Sequence, residues 1–553
     1  MLVAQAVGRA LGELGVRAAF GVVGSGNFHT TNALVAAGVR FVAAAHEGGA
    51  ATMADAYARI SGAPTVLSVH QGPGVTNAMT GITEAAKSRT PLLVLAPEAT
   101  AARSNFYIDL AGFAGAVGAG FRRVRAAHVY QDVAEAFRAT TRGAGGTVVL
   151  GLPLDVQAAP APQPMASSHE HPSGAEPAPI RPEPPAEQVR DLADLLRRSR
   201  RPVFIAGRGA TRSPDRTRAA LIDLAERSGA LLGVSAAAKG LFAGDPWYLD
   251  VSGGFASPLT AELISRSDLV VAWGSTLNMW TTRHGRLIGP DTSVVQVDLE
   301  ASALGANRPI DVGVVGDIVM VADAVVAELG HWRSGGWRSP ELADRIAAEV
   351  RWRDVPYGDD SGDGRIDPRT LSIELDDLLP PERTVAVDSG NFMGYPSMYL
   401  SVPDQAGFCF TQAFQSIGLG LASGIGAALA RPDRLPVAAL GDGGFLMSVA
   451  ELATAVRLGL PLVVVVYNDA AYGAEVHHFG PDGHPLETVT FPDTDLAAIG
   501  RGFGAAGVTV RSAADLATVA DWIAGPRERP LVVDAKVTSA GGAWWLEEAF
   551  RGH

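Results

Sequence analysis

The chain has 553 residues, more than one ordinary hydrophobic core can hold, so several domains are expected. Hydrophobic residues make up 47 % and charged residues 19 %, the profile of a globular protein with large cores. A net charge of −13 argues against a nucleic-acid or anionic-membrane partner, because both need basic patches. The one cysteine, Cys409, rules out an intrachain disulfide, and its setting "GFCFTQ" predicts a buried thiol.

The opening stretch "MLVAQAVGRALGELGV" has apolar residues at helical spacing and is broken by Arg9 and Glu13. It reads as the first helix of a domain, not as a signal peptide. No apolar run approaches the ~20 residues needed to cross a bilayer. The longest, "LPLVVVVY" at Leu460 to Tyr467, has the length of a strand. A cytoplasmic location without a membrane partner is the expectation.

Short β-branched runs then alternate with Ala/Leu-rich periodic runs. Among the former are "TVLSVH", "PLLVLA", "PVFIAG", "LVVAWG", "TVAVDSG" and "PLVVDAKV". Continuous apolar strands separated by helices predict an α/β protein of parallel sheets covered on both faces. The Pro-rich stretch 158–188 cannot build a core and reads as a linker. A second break covers 331–364. The expected units are therefore 1–157, 189–330 and 365–553.

Two stretches carry chemistry. In the first unit, "HEGGAATMADAYAR" (His46 to Arg59) places Glu47 where an apolar strand meets a helix. By itself this is a carboxylate at a helix start, favoured by the macrodipole. In the third unit, a strand ends at Gly441-Asp442-Gly443-Gly444, a helix follows, and the next strand ends at Asn468-Asp469. Ligands of open parallel sheets bind beyond the carboxyl ends of strands. The glycines let backbone N–H groups approach a phosphate, and Asp442 with a later oxygen can hold Mg²⁺.

These two stretches together resemble the thiamine-diphosphate-dependent 2-oxo acid decarboxylase and carboligase superfamily, in its acetolactate synthase-like branch. The resemblance spans nearly the whole chain. It implies three doubly wound domains: pyrimidine-binding, middle and diphosphate-binding. It implies thiamine diphosphate and Mg²⁺ as cofactors, with a small 2-oxo acid and an aldehyde or ketone as substrates. In the family, the glutamate matching Glu47 bonds the aminopyrimidine ring and drives its imino form. That glutamate and the GDG turn meet across a subunit interface, so a homodimer or dimer of dimers is implied.

Other site residues follow from the resemblance position by position. Gln415, through its carbonyl, and Ile417, the wedge under the bent cofactor, lie in "QAFQSIGLG". Ser389, Gly390, Asn391 and Phe392 match the loop that contacts the diphosphate. The family's second asparagine lies 27 positions after the GDG aspartate, which here is Asp469. The expected metal ligands are Asp442, Asp469 and the backbone carbonyl of Ala471, with Asn468 as the alternative. Ser25, Asn27 and His29 match a loop facing the cleft. His70 matches a position that is a catalytic histidine in benzoylformate decarboxylase-like relatives and could donate protons together with Gln71, and each also reads as an ordinary polar loop residue. His477 and His478 read equally as cleft or surface-helix residues.

Two departures bear on the substrate and on the middle unit. Where several carboligases carry a glutamine, the alignment places Phe106, which cannot donate that hydrogen bond. The middle unit's "FIAGRGA" and "VVAWGSTLNMWTTRHG" fit FAD binding only loosely, and a structural middle domain is favoured. The expected function is carboligation from a 2-oxo acid. The alternatives are a simple decarboxylase or C–C lyase, or a non-catalytic protein of the same fold.

Overall fold

Three six-stranded sheets, all parallel, are set out along the chain in a computed structural model that describes residues 1–163, 183–539, 541 and 543–547. Most of the Pro-rich linker lies outside the described residues. The first sheet is built from β1 (Ala18–Gly21), β2 (Arg40–Ala43), β3 (Thr65–Ser68), β4 (Leu92–Glu98), β5 (Gly120–Arg123) and β6 (Thr147–Pro153), in the order β2-β1-β3-β4-β6-β5. The second holds β7 (Pro202–Ala206), β8 (Leu231–Val234), β9 (Tyr248–Val251), β10 (Leu269–Trp273), β11 (Ser293–Asp298) and β12 (Val312–Val315), in the order β12-β11-β10-β7-β8-β9. The third holds β13 (Arg383–Val387), β14 (Phe408–Phe410), β15 (Leu435–Gly441), β16 (Val463–Asn468), β17 (Ala506–Val510) and β18 (Leu531–Lys536), in the order β14-β13-β15-β16-β18-β17.

This is the doubly wound α/β architecture expected from the strand pattern. Central strands such as β4, β6, β16 and β18 are buried along their whole length. Helices on both faces force each strand to be apolar on both sides, which is why the runs read as continuous rather than alternating. Cys409 lies buried in β14, and Trp273 is wholly buried at the end of β10, edge-on to Phe204.

The first unit closes on itself where Ala161 N donates to Met1 O, 2.9 Å away. The interval 331–364 contains the helix Pro340–Glu349, whose Ile346 is buried against the middle unit. The first and third units meet along two helices, Glu47–Ser61 and Gly420–Ala430. A Cβ on Gly426 would stand 2.3 Å from Met53 O, so the run "GLASGIGAALA" is small because the two helices nearly touch. At the far end of that contact Arg59 pairs with Asp55 and Glu84 and donates to Phe410 O, while Glu84 accepts from the N–H groups of Ala413 and Phe414. Arg208 of the middle unit joins this network through Thr90 Oγ1 at 3.1 Å.

Candidate active site

A cavity of about 970 Å³ opens between the middle and third units, at the carboxyl ends of both sheets. Its third-unit wall is made by the segments after β13, β14, β15 and β16. Ser389, Gly390, Asn391, Phe392, Gln415 and Ile417 all line it, and so do Gly441 to Gly444, Asp469 and Ala471. Every cofactor-side residue expected in the third unit is therefore in one place.

The glycines of this wall answer to close neighbours. A Cβ on Gly443 would lie 2.5 Å from the Tyr472 ring, and one on Gly444 would lie 2.5 Å from Asp388 Oδ2. Gln415 has φ +60° and Ala470 φ +60°, a region costly for side-chain-bearing residues. Such strain gathers where a loop must present its backbone in a fixed way. At Gln415 that is the carbonyl the resemblance assigns to the cofactor.

Asp442 and Asp469, from successive strand ends, are in side-chain contact, and burial pushes both carboxyls above the usual range, with the Asp469 charge raising Asp442 further. Two buried carboxylates side by side call for a cation. Asn468, the alternative ligand, is engaged at both ends of its side chain. Its Nδ2 donates to Asp534 at 2.8 Å and its Oδ1 accepts from Ala470 N at 3.1 Å. No third His, Cys, Asp or Glu joins the pair among the described residues. This donor set, two carboxylates with a nearby backbone carbonyl at Ala471, suits a hard, partly hydrated cation such as Mg²⁺.

One residue behind this wall escaped the sequence reading. Asp388 is wholly buried at the end of β13, and its oxygens accept from the N–H groups of Ser389 (2.8 Å), Gly418 (3.0 Å) and Leu419 (3.1 Å). Burial lifts its carboxyl to about 6 against the pull of those donors. It pins the Gln415–Ile417 loop to the 389 loop and the GDGG turn. The visible signal was only an acidic residue after an apolar strand.

The first unit's residues form a second group, away from this chain's own cavity. His70 Nδ1 lies 2.9 Å from Gln71 O, and a carbonyl can only accept, so Nδ1 carries the proton. Nε2 of the same ring lies 3.3 Å from the Ser25 hydroxyl. Gly74 sits between His70 and Glu47, since a Cβ there would be 3.0 Å from His70 Cβ and 3.4 Å from Glu47 Oε1. Glu47 Oε2 accepts from Asn77 Nδ2 at 3.1 Å. Gln71 is 4 % exposed, with Oε1 unpartnered beneath Gly26. The Phe106 ring stands edge-on to His70, centroids 5.4 Å apart, and is 43 % exposed.

Two residues of the first-unit loop stand apart from this group. Asn27 is committed to its own loop through Val22 O, Ser68 Oγ and Gly24 N. His29 is exposed on the next helix, beside Phe28. His477 and His478 lie on the helix Gly473–Phe479 and are not among the cavity's lining residues.

The close neighbour of Gly49 is the Glu451 carboxylate, 2.1 Å from where a Cβ would sit. In the middle unit, Gly207 and Gly209 pack on the backbone of Gly274, so the "GRGA" glycines have a packing reason of their own.

Three family models match the chain in order. They are the thiamine pyrophosphate enzyme N-terminal TPP binding domain at residues 1–116, the central domain at 189–325 and the C-terminal TPP binding domain at 388–535. Curated relatives include a probable 2-ketoarginine decarboxylase of Pseudomonas aeruginosa, 30 % identical over 93 % of this chain and 89 % of its own length. A sulfoacetaldehyde acetyltransferase of Alcaligenes xylosoxydans is 28 % identical over 83 % of this chain and 80 % of its own. An acetolactate synthase of Mycobacterium leprae is 26 % identical over 98 % of this chain and 88 % of its own. With three successive domains matched, and a carboxylate pair and glycine turn facing one cavity, the chain belongs to the thiamine pyrophosphate enzyme family.

Proposed function

We propose that this enzyme is a thiamine-diphosphate- and Mg²⁺-dependent carboligase that joins a 2-oxo acid donor to an aldehyde acceptor. The observation carrying the reading is the division of the site. The carboxylate pair and the glycine turn line a cavity, while Glu47, Ser25, His70 and Gln71 form a separate face outside it. A second copy of the chain supplies the missing half, in a homodimer or a dimer of dimers. Exposed apolar residues on both halves support this: Phe106, Tyr107 and Met79 on the first unit, Phe414, Leu446 and Met447 on the third.

In this reading Asp442, Asp469 and the Ala471 carbonyl hold the cation, and the loops at 389–392 and 441–444 hold the diphosphate. Ile417 and the Gln415 carbonyl orient the pyrimidine, and Glu47 shares a proton with its ring nitrogen. When bound, thiamine diphosphate supplies stabilisation of a carbanion at the former carbonyl carbon. His70, with Nε2 held beside the Ser25 hydroxyl, moves protons to and from substrate oxygen. Phe106 walls the acceptor side without a hydrogen bond, which favours an aldehyde over a second 2-oxo acid. The middle unit is read as structural, with FAD not favoured there. No helix among the described residues is long and apolar enough to cross a membrane, and the proposed location is cytoplasmic.

A second reading, a simple 2-oxo acid decarboxylase or C–C lyase, has support from the same Ser25–His70 pair, which can deliver the proton that replaces the departing CO₂ on the carbon. Purified protein incubated with thiamine diphosphate, Mg²⁺ and panels of 2-oxo acids and aldehydes, with products read by mass spectrometry, separates the two. A coupled product supports carboligation, and free aldehyde alone supports decarboxylation. Cofactor that gives no thermal stabilisation at saturation overturns both.

A further inference from the structure

The N–H groups of Ala45 and His46 fall between β2 and the helix Glu47–Ser61, and no backbone carbonyl accepts from either. Such orphan donors need a partner when they are covered. The partner comes from the third unit, some 400 residues later in the chain. Glu451 Oε1 accepts from His46 N at 2.9 Å, and Oε2 accepts from Ala45 N at 3.2 Å and Thr454 Oγ1 at 2.8 Å. Glu451 is 2 % exposed, so these bonds are what satisfies its buried oxygens. One helical run further, Arg457 donates to Ala43 O. One helix, Glu451–Arg457, thus grips residues 43–46 through both their donors and an acceptor.

We propose that Glu451, assisted by Arg457, is the positioning residue for Glu47, fixing from the third unit the joint from which Glu47 projects. The inference rests on the proposed role of Glu47. It gives the glycine at 49 its reason, because any side chain there would displace the Glu451 carboxylate. It also gives the run after the GDG turn a task beyond holding diphosphate. The helix Asp442–Ser448 lines this chain's own cavity, and Glu451 follows directly on it. One continuous stretch therefore touches the chain's own cavity and sets the carboxylate that the chain lends to its partner.

Three measurements on Glu451→Gln and Gly49→Ala test this. Amide hydrogen exchange of peptides covering 43–50, on cofactor-free protein, should be faster in both variants. With cofactor saturating, kcat should fall about tenfold or more, because small misplacements of a reacting group are costly. The affinity for Mg²⁺ with inorganic diphosphate, which draws only on the cavity side, should stay within about twofold of wild type, since distant sites behave independently. The double variant should lose less than the sum of the two single losses, as residues acting through one contact do. Unchanged exchange and kcat in folded variants overturn the proposal. So does an equal fall in diphosphate affinity, which would mark general damage. Should Glu451→Gln not fold, Gly49→Ala decides alone by the same criteria. A wild-type protein that shows no cofactor-dependent turnover refutes the proposed function, while the exchange measurement still judges the clamp.

Discussion

Replacing Glu47 by glutamine separates chemistry from folding more cleanly than any other change in the first unit. Glu47 has one side-chain partner, Asn77 at 3.1 Å, and glutamine keeps an oxygen that can accept that bond. What is lost is a charge-assisted bond and the favourable placement of a negative charge at the first turn of Glu47–Ser61. The second term is worth about 0.3–1 kcal/mol at a partly exposed site. A total near 1 kcal/mol shifts the melting of a unit this size by about 2–4 °C. Removing a group that transfers protons at the reacting centre costs about 10²- to 10⁴-fold in rate. That is about 3–5 kcal/mol of barrier, several times the folding cost. The assay pairs thermal unfolding of cofactor-free protein with steady-state product formation at saturating thiamine diphosphate and Mg²⁺. A folded variant that turns over within about threefold of wild type refutes the proton-sharing role. A variant that loses Mg²⁺–diphosphate affinity in step with activity refutes the division of the site into two faces.

Asp469→Asn should change how pH acts on the cation site. Burial raises both carboxyls and the Asp469 charge raises Asp442 further, so the folded apo protein holds protons that the unfolded chain has released. Stability of the apo protein from this pair is therefore full below the ordinary aspartate range and is lost as pH rises through the raised values; Mg²⁺ affinity runs the other way, falling as pH drops. Thermal scans between pH 5.5 and 8, with and without Mg²⁺, should show both trends in wild type and weaker ones in the variant, because Asp442 then lacks its charged neighbour. Phe106→Gln should leave stability within about 0.5 kcal/mol, the surface being exposed there, and should raise the share of product formed with a 2-oxo acid acceptor in competition with an aldehyde. An unchanged product ratio by mass spectrometry counts against Phe106 as the acceptor wall.

The parts of this protein that follow a local rule could be read from the chain. Strands buried on both faces must be apolar throughout, so β15 and β16 announced themselves, and the turns at their ends carried Asp442 and Asp469 in a recognisable spacing. Partners that are side chain to backbone and far apart in sequence leave no such trace. Asp388 reads as one more acid after a strand until the N–H groups of Gly418 and Leu419 close on it. Glu451 reads as a helix-start carboxylate, and only the fold brings it to Ala45 and His46. Asn468 and Asp469 are adjacent and both polar, so sequence alone left the ligand open. The fold turns Asn468 into the sheet toward Asp534 and places Asp469 at the cavity, which is what favours Asp469 in the proposed cation site.

The Glu47 face and the Asp442 cavity lie on different parts of one chain's surface, and in the proposed dimer this has a genetic meaning. A chain lacking Glu47 and a chain lacking Asp442 are each inactive alone. Paired, they form a dimer in which one site carries both lesions and the other carries none. Free exchange of equal amounts puts half the dimers in the mixed form, so roughly a quarter of the wild-type sites reappear. Two recessive defects would thus complement each other within a single gene, and the recovered fraction counts how often chains change partners.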